Sequence, residues 1–148
     1  MSAFLMFMHI VCGVTFFGIV MASFIYIHHS IRQQDPLLLS YALKVSLMGD
    51  CLIFPMILIQ LLTGTFLVHH HHLPLNTPWI IVAYLAFATV SVIWFLLALI
   101  KYVNFSQSYT EGFRFKKPFY CLSILIIFLF CIIVHDAVTQ TTWLFYKG

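Results

Sequence analysis

His9 is the first titratable side chain of the sequence and stands inside an otherwise apolar run, Phe4 to Ile27. A neutral imidazole is the usual protein ligand for haem iron and for copper. Met6 and Cys12 lie three residues to either side of it, on nearly the same face of a helix, and Met8 is its neighbour. Thioether and thiolate sulfur suit Cu(I), although both residue types are also ordinary packing in an apolar helix. A second intramembrane histidine, His135, is followed directly by Asp136. Adjacent helical residues point about 100° apart, so this pair is not expected to face one neighbour together. If His9 and His135 face each other across an antiparallel bundle, they could sandwich the iron of haem b. The competing arrangement is a hydrogen bond from His9 to Asp136 that only fixes packing.

Three further residues belong to the same chemistry. Asp50, Gln60 and Thr63 share one apolar run and could supply proton-handling or cofactor contacts around a ligating histidine. Asp50 has no basic residue one turn away, and Lys44, six residues earlier, is awkwardly placed to reach it. It therefore reads either as an acid hydrogen-bonded between helices or as a proton relay or cofactor-propionate contact. The run His69, His70, His71 and His72 offers an outward metal hook for copper together with Met6, Met8 and His9, but lacks the spacing of a structural metal site. A solvated interfacial loop is the simpler account of it. His28 and His29 sit where the first apolar run ends, a favourable place for a cation near a helix C-terminus.

These residues need elements to hold them, and the composition dictates which. The 148 residues are 63% hydrophobic and 7% charged, against roughly 45–50% and about 25% in soluble domains. A soluble fold of this size leaves too much surface exposed to accommodate that, and disorder needs the opposite balance. The chain reads as an integral membrane protein in a lipid bilayer. A net charge of +3 is too small and too scattered to suggest nucleic-acid binding. Cys12, Cys51, Cys121 and Cys131 form no CxxC pair and read as packing thiols.

A spanning helix takes about 20 apolar residues. The sequence predicts four, at approximately 4–27, 38–68, 78–104 and 118–146, in a single membrane domain over 1–148. The fold class is all-α: an up-down-up-down four-helix transmembrane bundle with both termini outside. Pro36, Pro78 and Pro118 stand near helix starts, while Pro55 is expected to kink the second helix. Gly13, Gly18, Ala22, Gly49 and Gly64 suggest close helix contacts; Trp79, Trp143 and Tyr146 suggest interfacial anchors. Arg32 and Lys44 flank the first connection, and Lys101, Arg114, Lys116 and Lys117 the third; only Lys147 lies on the other side. That asymmetry places connections one and three in the cytoplasm. The expected location is a bacterial inner membrane, with both termini in the periplasm. His9, Gln60, Thr63, His135, Asp136 and Gln140 then gather in the outer half of the bundle, with Asp50 nearer the midplane.

The segment Gly49-Asp50 … Phe54 … Gln60-Leu61-Leu62-Thr63-Gly64, followed by Pro74-Leu75 … Trp79-Ile80 … Trp94, resembles a bacterial family of small four-helix predicted integral membrane proteins of unknown function. The family shares an early intramembrane His (here His9), an Asp in helix two (here Asp50), a Gln-Pro-x-Thr-Gly motif and a Pro-Leu … Trp-Ile stretch. Leu61 stands where the family usually has proline, and His135–Asp136 has no counterpart in its pattern. A looser likeness links the chain to the small four-helix membrane protoporphyrinogen oxidase, which binds haem, and to the membrane domain of copper-resistance proteins.

Three functions follow as expectations. The first is a b-type haem or redox protein with His9 and His135 as iron ligands. The second is a copper-handling protein using Met6, Met8, His9 and His69 to His72. The third is a non-catalytic accessory or assembly subunit, acting as a homo-oligomer or within a larger membrane complex. The sequence contains no phosphate loop, nucleophile–base motif or paired intramembrane carboxylates that would favour a hydrolase, phosphotransferase or ion pump.

Overall fold

In the computed structural model, which describes residues 2–107 and 113–139, the chain forms four helices: α1 (Ser2–Gln33), α2 (Pro36–His70), α3 (Pro78–Gln107) and α4 (Lys116–Thr139). All four are long and apolar enough to cross a membrane. The expected end of the fourth helix at 146, together with Gln140, Trp143, Tyr146 and Lys147, lies outside the described residues.

The helix boundaries follow local chemistry. Gln34 takes a left-handed φ of 56°, which stops α1 and reverses the chain. Asp35 then caps α2: its carboxylate accepts from the backbone N–H of Leu37 at 2.8 Å and of Leu38 at 3.3 Å, satisfying donors that a helix start otherwise leaves open. Pro36 follows at the first helical position, where its missing N–H is harmless. Pro78 opens α3, and Pro118 lies in the first turn of α4. Pro55 lies inside α2, and the helix runs on through it.

Each helix contributes one buried seam. In α1 it runs Cys12, Phe16, Val20, Ser23, Ile27 and Ser30; in α4 it runs Phe119, Ser123, Ile126 and Phe130. Spacings of three and four residues keep such a seam on one face along antiparallel helices. Successive neighbours pack up-down-up-down, with the α1–α2 and α3–α4 pairs most extensive and α1–α4 lighter than these and than α2–α3. Phe16 and Phe17 meet Phe130 at ring-centroid distances of 5.0 and 5.2 Å, which closes α1 against α4. Where α1 crosses α2, a Cβ on Gly49 would stand 2.8 Å from Ile19 Cγ2, so glycine is what permits the approach. Gly18 differs: among the described residues nothing lies within 4 Å of its added Cβ, and it is no helix contact there.

At the third connection, Asn104 is almost fully buried. Its amide donates to the Ile100 carbonyl at 2.7 Å, and its Oδ1 accepts from the Arg114 backbone N–H. Phe113 is buried against Phe119 at 5.2 Å. This polar anchor therefore ties the end of α3 to the approach to α4.

Candidate functional site

The α1–α2 seam brings His9, Gln60 and Thr63 together. His9 Nε2 lies 3.0 Å from Gln60 Nε2, and His9 Nδ1 lies 3.0 Å from Thr63 Oγ1. An amide nitrogen can only donate, so Nε2 is the acceptor and the ring proton sits on Nδ1, an assignment made from the hydrogen-bond network. The Thr63 hydroxyl accepts that proton's bond and donates its own to the Ile59 carbonyl at 2.7 Å. One directional chain thus runs Gln60 amide, His9 ring, Thr63 hydroxyl, Ile59 carbonyl.

Two glycines make room for it. A Cβ on Gly64 would stand 3.0 Å from His9 Cε1, and one on Gly13 would stand 3.3 Å from Gln60 Nε2. These glycines serve the polar cluster rather than bare backbone contact. Gln60 Oε1 is buried and has no hydrogen-bond partner among the described residues.

Asp50 belongs to a different cluster, where α2 meets α3. Lys101 Nζ donates to Asp50 Oδ1 at 2.7 Å and also contacts Oδ2, while Trp94 Nε1 donates to Oδ1 at 3.0 Å. Lys101 and Asp50 are only 4% and 6% exposed, so this is a buried ion pair. Two sequence-based readings change here. Asp50 does have a basic partner, but across the helix interface rather than along α2. Lys101 is not a membrane-flanking charge; it is committed inside the bundle. The basic residues left to set orientation are Arg32, Lys44, Arg114, Lys116 and Lys117, against Lys147.

In α4, His135 Nδ1 and Asp136 Oδ1 are 3.0 Å apart. Their side chains bend toward each other despite pointing apart from the backbone, so Asp136 is bonded by its sequence neighbour. Asp136 is buried, and its Oδ2 has no hydrogen-bond partner among the described residues. The structure thus joins His9 to α2 and His135 to Asp136. His28 changes role too: α1 continues past it to Gln33, and its Nδ1 lies 3.0 Å from the Tyr120 hydroxyl of α4.

His69 and His70 finish α2, His71 caps it, and His72 takes a φ of 51°. All four are exposed, and the His70 and His71 rings meet edge to face at 5.5 Å. Met6 is exposed and Met8 half-buried, while Cys12 is buried. Among the described residues no three His, Cys, Asp or Glu side chains are grouped to hold a metal ion.

Lys101 and Asn104 were the polar residues whose roles the sequence hid. The available signal was their position: both lie within a helix predicted to span, where a charged or amide side chain is expensive unless paired.

Four membrane-length apolar helices joined by short connections, with polar groups bonded between them, define a small multi-pass integral membrane protein. The chain belongs to the family of predicted integral membrane proteins DUF2269, whose sequence profile matches residues 3–144. No curated protein and no solved structure matches the chain.

Proposed function

We propose that the protein is a non-catalytic accessory subunit of a membrane complex, whose intramembrane polar residues hold its helices in register. One observation carries this reading: ionisable groups in all four spans are bonded within the chain. His9 is bonded to Gln60 and Thr63, Asp50 to Lys101 and Trp94, His135 to Asp136, and His28 to Tyr120. The His9, Asp50 and His28 bonds cross between helices, where polar pairs act as glue in lipid; the His135–Asp136 bond stays within α4. The partner-facing surface is best sought on α2, which buries eight of its 35 residues and presents Leu52, Phe54, Leu58, Leu62 and Phe66 outward. Purification in a mild detergent is expected to bring down a larger complex containing this chain. A monodisperse single-chain particle with no partner would overturn the accessory assignment.

A second reading has a specific observation behind it. The Nδ1–H bond to Thr63 orients the His9 ring and leaves its lone pair on Nε2, the disposition of an imidazole that ligates haem iron or copper. The Gln60 amide now meets that lone pair at 3.0 Å, so ligation requires Gln60 to swing aside. His9 and its neighbours Gln60 and Thr63 would then hold the group, and a haem or copper ion would supply electron transfer. The pairing of both His9 ring nitrogens favours the first reading.

The remaining charge asymmetry, with Lys101 removed from it, supports connections one and three on the cytoplasmic side of a bacterial inner membrane and both termini in the periplasm. A reporter active only in the periplasm is expected to be active when fused after Gly148. Activity of a cytoplasm-only reporter at that position would reverse the topology.

A further inference from the structure

Beside the Asp50–Lys101 pair lies a cavity that the helix packing does not fill. Its walls come from α1 (Val20, Ser23, Phe24), α3 (Trp94, Leu97, Lys101) and α4 (Phe119, Ser123), and its volume is about 10 Å³ for the centre of a water-sized sphere. That is about the space one water needs, provided it finds two to four polar partners. Three groups on the wall qualify. Lys101 carries three N–H donors; among the described residues it donates to Asp50 Oδ1, with Oδ2 in ion-pair contact, which leaves an N–H for another acceptor. Ser23 and Ser123 are 8% and 2% exposed. Helical serines usually return their hydroxyl proton to the carbonyl one turn back, as Ser30 does to Tyr26 at 2.8 Å and Ser91 does to Phe87 at 2.9 Å. Ser23 and Ser123 make no such bond among the described residues, and both side chains line this cavity.

We infer that Lys101, Ser23 and Ser123 form an internal water site between α1, α3 and α4. The water accepts the remaining Lys101 N–H and shares hydrogen bonds with the two serine hydroxyls, so one molecule satisfies all three groups. The ion pair that joins α2 to α3 is thereby extended to α1 and α4, and its ammonium gains a partner with which it can exchange protons inside the span. The remainder of the described wall is apolar at Val20, Phe24, Leu97 and Phe119, and the Trp94 indole N–H is already committed to Asp50.

The test is a water-to-ammonium magnetisation-transfer NMR experiment on the full chain in lipid nanodiscs, with ¹⁵N-labelled lysine and tryptophan. The Lys101 signal is assigned by its loss in Lys101→Met. A cross-peak from a long-lived water to Lys101 Nζ is expected in the wild-type protein. It should vanish in Ser123→Val and in Ser23→Val, whose added methyl groups fill the cavity. An unchanged Trp94 indole signal would show in each variant that the Asp50 cluster persists; if one variant does not fold, the other decides. Absence of the cross-peak in wild type, or its persistence in a folded variant, overturns the site.

Discussion

Lys101→Met is expected to be the most damaging of the polar substitutions, lowering stability by about 3–5 kcal/mol, the usual effect of breaking a buried ion pair from one side. The reason is what remains behind: Asp50, 6% exposed, with Trp94 as its other bonded partner. The double variant Asp50→Asn/Lys101→Met removes both charges yet keeps an oxygen for the Trp94 indole. It is expected to recover most of the loss, because uncharged replacements of buried pairs are often close to neutral. Reversible unfolding in bicelles, followed for the two single variants and the double, measures this directly. A Lys101→Met variant within about 0.5 kcal/mol of wild type, as for an ordinary surface substitution, would show that the pair does not hold α2 to α3.

The second large effect belongs to His9. Replacing it with alanine removes both bonds of the α1–α2 cluster and leaves the Gln60 amide and Thr63 hydroxyl facing a void. Interhelical hydrogen bonds in lipid contribute roughly 0.6–2 kcal/mol each, and stranded polar groups about 1–3. The expected loss for His9→Ala is therefore roughly 2 kcal/mol. Gln60→Leu and Thr63→Val are each expected to lose less, since each removes one of the two His9 bonds. In a double-variant cycle the effects of His9→Ala and Thr63→Val should be sub-additive, because they delete one shared bond. Full additivity would mean the chain from Gln60 to Ile59 is not a coupled unit.

Much of this architecture was legible in the residues. Apolar runs long enough to span fixed the number and order of the helices, and Pro36, Pro78 and Pro118 marked three starts. Depth alone gathered His9, Gln60 and Thr63 at one level, and they do meet. Depth is a good guide there because their side chains are short or medium and lie on the α1–α2 seam. It fails for Lys101, which sits six residues before the end of α3 and carries a four-carbon stem. Its ammonium reaches Asp50 across the interface, so proximity along the sequence says nothing of the pair. The azimuth of each helix was also hidden. Hydropathy is high all round these spans and does not say which face turns inward. That is why the sequence leaves His9 open to His135 or Asp136, whereas the packing pairs it with Gln60 and Thr63. At His135–Asp136 the backbone directions diverge as expected, and side-chain torsions close the gap.

In the proposed role His9 is a structural link between α1 and α2. The visible spectrum of detergent-purified protein, produced with haem precursor supplied and recorded oxidised and then dithionite-reduced, separates this role from iron ligation. With Gln60 and Thr63 holding both ring nitrogens, no Soret band is expected, and His9→Ala should differ from wild type in stability alone. A Soret band that shifts on reduction, resolves α and β bands, and disappears in His9→Ala would contradict this and make His9 an iron ligand.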